Sequence, residues 1–180
     1  MAHGNIRSRS GHLAKLGLEK RQMPGLYYEE LTPGLVIEHS IRRTVSEYDN
    51  ILFSAITHNL APLHLDAEYS KNTMWGQRLV NSMFTVSVVC GIVVGETTQG
   101  TTMGNLGFDH VKFPKPVFFG DTIRVRTEVI DRRESKKYPN AGIVNFRHLG
   151  INQRDEVVCE CNRAGLMLKQ PVGDTVQAKS

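Results

Sequence analysis

Cysteine is scarce in this sequence. The 180 residues hold only Cys90, Cys159 and Cys161. An odd, sparse count offers no disulfide framework and points to a reducing compartment, with the cytoplasm as the expected location. Cys159 and Cys161 lie two apart on a predicted strand and so share a face. A metal site would need a further pair of ligands at suitable spacing, which the sequence does not offer, so no metal is expected and the thiols read as small buried side chains. Long apolar runs are also missing. Nothing approaches the roughly 20 consecutive residues that span a bilayer, and the longest apolar segment, Met83 to Val94, is broken by Thr85, Ser87 and Gly91. No membrane partner is expected. Neither sign of charge dominates: 22 Lys and Arg against 18 Asp and Glu leave a net +4. That balance suits an anionic small molecule but is too weak to argue for nucleic acid. There is no internal repeat and no low-complexity linker, and the length suits one domain.

The ends differ from the middle. Met1 to Leu18 carries Arg7, Arg9 and Lys15 with Ser8 and Ser10, and no acid appears before Glu19. Residues 1–24 are read as an N-terminal extension, flexible or packed on. The composition also fits a transit peptide, but no apolar stretch of the secretory kind follows. Residues 172–180 read as a frayed tail. Residues 25–171 are left as a single domain.

Within that span the hydrophobic period changes once. Leu35 to Val45 alternates after the turn Thr32-Pro33-Gly34 and predicts a first strand. Ser46 to Asp49 resembles a capping box, and Tyr48, Ile51, Leu52 and Ala55 follow at helical spacing. Pro62 stops that helix and leaves residues 58–64 as a loop. Asp66 then caps a short helix through Tyr69. A third helix begins near Asn81 or Ser82 and is apolar nearly all round, the pattern of a buried helix. From Thr101 the period is two. In Asp121 to Glu134, Ile123, Val125, Thr127 and Val129 face one way, and Arg124, Arg126, Glu128 and Ile130 the other. Ala141 to Gly150 and Glu156 to Lys169 are two further strands, joined by the hairpin turn Asn152 to Asp155. One buried helix against a long antiparallel sheet is an α+β architecture, and a sheet wrapped round a central helix is the hot-dog fold.

Three ordered blocks resemble the MaoC-like, or R-specific enoyl-CoA hydratase 2, family. The first, THNLAPLHLD from Thr57 to Asp66, is similar to that family's Ser/Thr-Gly-Asp-x-Asn-Pro-Leu-His-x-Asp signature. The second, Trp75 to Phe84, resembles its helix entry, and the third, Val111 to Thr122, its link into a long strand. The resemblance implies a hot-dog fold, a homodimer or higher homo-oligomer, and hydration or dehydration of a 2-enoyl-CoA thioester, with CoA as part of the substrate and no separate cofactor. It implies that His64 moves a proton and that the Ser82 N–H, at the start of the central helix, receives the enolate oxygen. Asn81 and Met83 flank that donor as candidate substrate contacts. Arg78 is a candidate partner for a carboxylate or phosphate, or else a capping or surface arginine.

The departures from the pattern bear on mechanism. Asn59 stands where the family has Asp, His58 where it has Gly, Ala61 where it has Asn, and Asn81 where it has His. An amide orients water but cannot accept its proton. Three options follow: His64 works alone with Asn59 holding the water, His58 or Asp66 substitutes, or the chain is not a hydratase. Loss of a carboxylate suits a substrate that carries its own. The chain is similar to the branch acting on C5 dicarboxylyl thioesters such as mesaconyl-CoA, 2-methylmalyl-CoA or itaconyl-CoA. The alternatives are a non-catalytic acyl-CoA-binding or accessory protein and an acyl-CoA thioesterase. Against the last, Glu96 is the one acid on the central helix and lies far from its start. Lys112, Lys115 and Arg124 suit either the phosphates of CoA or a solvated strand face.

Overall fold

The computed structural model describes residues 25–171; the proposed extension and tail lie outside them. The element order is β1 (Val36–Thr44), α1 (Glu47–Ile56), α2 (Pro62–Leu65), α3 (Ala67–Lys71), α4 (Ser82–Ile92), α5 (Val94–Thr97), β2 (Thr102–Lys112), β3 (Thr122–Glu134), β4 (Ala141–Ile151) and β5 (Val157–Leu168). The strands form one antiparallel sheet in the order β1-β3-β4-β5-β2, which leaves β1 and β2 as its edges. The sheet packs on α4, the hot-dog arrangement.

Local chemistry sets the element ends. Ser46 Oγ accepts the Asp49 N–H and Asp49 Oδ2 accepts the Ser46 N–H, the reciprocal capping box at the start of α1. At its other end the Asn59 N–H donates to the Ser54 carbonyl (3.0 Å) and the His58 N–H to that of Ala55 (3.2 Å). This is a Schellman motif, with His58 in its left-handed position at φ 55°. The predicted 58–64 loop is shorter than expected. Pro62 starts the single turn α2 instead of extending the loop, because a proline at the first helical position gives up an N–H that has no partner anyway. His64 therefore sits on a helical turn. Asp66 caps α3 through the Tyr69 N–H.

Val86, Val89, Ile92 and Val93 pack on Ile123, Val125, Val158, Cys159 and Cys161. The helix lies close because β4 has glycine beneath it: a Cβ at Gly150 would stand 2.5 Å from Val89 Cγ2. A second cluster of Tyr28, Leu31, Val129, Val144, Phe146 and Met167 fills the other end of the sheet. Between them runs a polar row. Arg163 Nε–H donates to His148 Nε2 (2.9 Å), so the His148 proton is on Nδ1 and goes to Thr127 Oγ1 (2.8 Å). The Thr127 hydroxyl donates to His39 Nε2 (2.8 Å), and His39 Nδ1–H donates to Glu96 (2.7 Å). Each histidine ring nitrogen and the Thr127 hydroxyl in the row thus has one role.

Burial of α4 is not complete, contrary to its apolar sequence. Met83, Ser87 and Val94 lie on an exposed stripe along α4 and α5. The edge strand β2 exposes Met103, Leu106, Phe108 and Val111.

Candidate active site

The signature segment and the start of α4 are joined directly. His64 Nδ1–H donates to the Leu79 carbonyl (2.8 Å), and the Leu79 N–H donates to the Leu63 carbonyl (3.1 Å). Because a carbonyl can only accept, this bond places the ring proton on Nδ1 and leaves Nε2 as a bare acceptor. A base needs that tautomer. Three residues beyond Leu79, the Ser82 N–H is at the first position of α4 and has no hydrogen-bond acceptor among the described residues. Helix starts leave such donors free, at the positive end of the helix dipole.

Next to Ser82 is a cavity of about 170 Å³, walled by Trp75, Leu79, Thr85, Phe113, Val117 and Val158. Lys115 stands at its edge and is the one charged residue lining it. The volume suits a short acyl group.

The other candidate residues divide. The Asn59 backbone closes the Schellman motif, and its Oδ1 accepts the Ala61 N–H at a loose 3.4 Å, with no acceptor for its Nδ2 among the described residues. Asn81 is buried and occupied: its Oδ1 takes the Met83 N–H (3.0 Å) and its Nδ2 donates to Ser54 Oγ (3.3 Å). It is the N-cap of α4, and its cap consumes the Met83 N–H, so neither residue offers a polar group to a ligand. Met83 instead exposes its side chain. Arg78 is likewise engaged. It pairs with Glu47, reaches the Leu65 carbonyl (3.4 Å) and lies over the Phe119 ring at 5.1 Å, clamping α1 to the segment before α4. His58 is exposed and acts as the helix terminator. His110 is a β2 residue and Arg124 pairs with Glu38 and Asp155.

Sequence reasoning missed Asn50. It is fully buried on α1, donates through Nδ2 to the His64 carbonyl (2.9 Å) and accepts the Asn81 N–H at Oδ1 (2.7 Å). The visible signal was a polar pair at helical spacing, Asn50 and Ser54, which are the buried residues of α1, whereas the apolar set Tyr48, Ile51, Leu52 and Ala55 lies exposed.

The MaoC like domain profile matches residues 29–148. The chain belongs to the MaoC-like domain family. Among curated relatives this MaoC-like chain is 27% identical over 157 residues to a beta-methylmalyl-CoA dehydratase of Chloroflexus aurantiacus, covering 85% of this chain and 44% of that protein. It is 29% identical over 134 residues to a mesaconyl-CoA hydratase of Cereibacter sphaeroides, covering 74% and 38%. The chain thus spans less than half the length of these two relatives. Among solved structures, a Mycobacterium tuberculosis protein with a double hot-dog fold superposes at TM-score 0.74 and 23% identity, over 83% of this chain and 46% of that one.

Proposed function

We propose that this MaoC-like chain is a hydro-lyase that adds water to, or removes it from, a 2-enoyl-CoA thioester. The observation that carries this is the His64 tautomer: Nδ1–H is held by the carbonyl of Leu79, on the segment that leads to the free Ser82 N–H, and Nε2 is left bare. In the hydration direction, Asn59 Nδ2 orients a water and His64 Nε2 takes its proton as the oxygen bonds to the β carbon. The electron pair of the double bond moves onto the thioester oxygen, where the Ser82 N–H stabilises the enolate. The imidazolium then returns the proton to the α carbon, so water is added and nothing is oxidised or reduced. These are proton transfers on a CoA ester, and they call for no separate cofactor.

The substrate we propose is a short dicarboxylyl thioester. Asn59 removes the acid that would repel a substrate carboxylate, and Lys115 supplies a cation at the edge of a small cavity. The two curated relatives bear names from the same C5 chemistry. Mesaconyl-CoA, itaconyl-CoA and crotonyl-CoA, followed by loss of the enoyl-thioester absorbance, are the test. Turnover of a C5 substrate ahead of crotonyl-CoA is expected. Free CoA release in place of hydration would make the protein a thioesterase, and binding without turnover would make it an accessory subunit.

We propose further that the working unit is a homodimer. An exposed apolar edge strand invites pairing, and β2, which exposes Met103, Leu106 and Phe108, is such a surface. A second copy pairing β2 to β2 would cover that edge. Sedimentation should give twice the mass of one chain; a monomer at micromolar concentration would contradict it. No helix among the described residues is long and apolar enough to cross a membrane, and three free thiols suit the cytoplasm.

A further inference from the structure

We infer that Asn50 is a positioning residue that sets the spacing between the proton-transfer group and the oxyanion donor. The inference rests on the hydratase assignment of His64 and Ser82. The two groups lie on different segments, one on α2 and the other at the start of α4. Asn50 touches both segments with a single planar amide: Nδ2 donates to the His64 carbonyl at 2.9 Å, and Oδ1 accepts the Asn81 N–H at 2.7 Å, one residue before Ser82.

The residue type fits this task closely. The site needs a donor and an acceptor on one short rigid group, and no water is available to replace either, since Asn50 is fully buried. Asparagine offers both; aspartate offers only acceptors, leucine neither, and glutamine is one carbon too long. Asn50 is itself fixed, because α1 is closed by the capping box at Ser46 and the Schellman motif at His58. The Arg78–Glu47 pair ties the same helix to the same segment from outside. The His64 main chain is thus held by Asn50 and its ring by the Leu79 carbonyl, which together fix where Nε2 stands.

The test uses the full chain with two variants, Asn50→Leu, which removes both bonds, and Asn50→Asp, which keeps the acceptor for Asn81 but removes the donor to His64. Turnover is measured with mesaconyl-CoA and crotonyl-CoA, and the His64 tautomer is read from its ring ¹⁵N shifts without any substrate. Misplacement of about 1 Å can cost about 100-fold in rate. The expected result is a fall in kcat of at least about tenfold in both variants, with KM within about threefold. In both, His64 should also lose its single Nδ1–H tautomer while the thermal transition remains cooperative. A purely structural asparagine would leave the tautomer and the kcat-to-KM split unchanged. The inference is overturned if a folded variant keeps parental kcat and one tautomer, or if both variants fail to fold. If the parent itself hydrates neither thioester, the hydratase assignment has failed, and the tautomer measurement alone decides whether Asn50 positions His64.

Discussion

At the scale of single residues, this site is built mainly from amides. Asn50 bonds the main chain at both His64 and Asn81, Asn81 caps the helix that starts at Ser82, and among the described residues Asn59 is the one of the three whose amide nitrogen has no acceptor. An amide at position 59 in place of an acid suits a substrate that brings negative charge. Two carboxylates about 5 Å apart at an effective dielectric of about 20 repel by roughly 3 kcal/mol. Asn59→Asp should therefore lower kcat/KM for mesaconyl-CoA relative to crotonyl-CoA by at least about tenfold. A change in the opposite direction would defeat the charge argument. The placement of His64 beside the segment entering α4, and of Ser82 at the first position of that helix, was legible because the Pro-Leu-His motif and the helix entry are local patterns. Arg78 and Asn81 were not, because whether a polar side chain meets a ligand or its own fold depends on partners far away in sequence. Glu47 lies 31 residues from Arg78, and Ser54 lies 27 from Asn81.

At the scale of elements, the position of the site depends on how closely α4 lies on the sheet. Val89 is fully buried over Gly150, and a single methyl group added there would overlap it. Gly150→Ala should cost about 1–3 kcal/mol as the helix is forced outward. Urea unfolding measures this directly, and an unchanged midpoint would show that the contact yields without cost. The strands were legible because burial obeys the period of two: Ile123, Val125, Thr127 and Val129 are all buried, as their alternation implied. The α1 start was legible because its capping box is written in four consecutive residues. The single turn α2 was not, since a proline that ends one helix can also open the next. The uncovered stripe on α4 also escaped notice. An apolar helix sequence does not record which of its faces the sheet of the same chain leaves exposed.

At the scale of the whole molecule, the polar row from Arg163 to Glu96 ties four strands to the end of the central helix segment. It works only with both histidines neutral. Burial, aided by the charge of Arg163, pushes the His148 pKa down to about 3, and burial lowers that of His39 despite Glu96 beside it. A histidine whose folded pKa lies below its unfolded value binds its proton more readily when unfolded. Its contribution is therefore complete above about pH 6.5 and declines as pH falls toward 3. For His148 the slope between these limits approaches about 1.4 kcal/mol per pH unit, and His39 acts in the same direction. Unfolding free energy should thus drop by about 2 kcal/mol between pH 6.5 and 5 from His148 alone, before the paired carboxylates Glu96 and Asp121, both lowered by their partners, begin to protonate. A flat stability profile over that range would show that the row opens to water. Loss of the row in acid should release the sheet from α5, the turn that carries Glu96.

All three scales meet at His64. The most direct measurement is hydration of mesaconyl-CoA by the parent chain and by His64→Ala at equal concentration and equal cooperativity of unfolding. Loss of a general base typically costs about 100- to 10,000-fold, and a fall in kcat of that size, with CoA-ester binding retained, is the predicted result. A His64→Ala variant that hydrates the thioester at the parental rate would contradict the account.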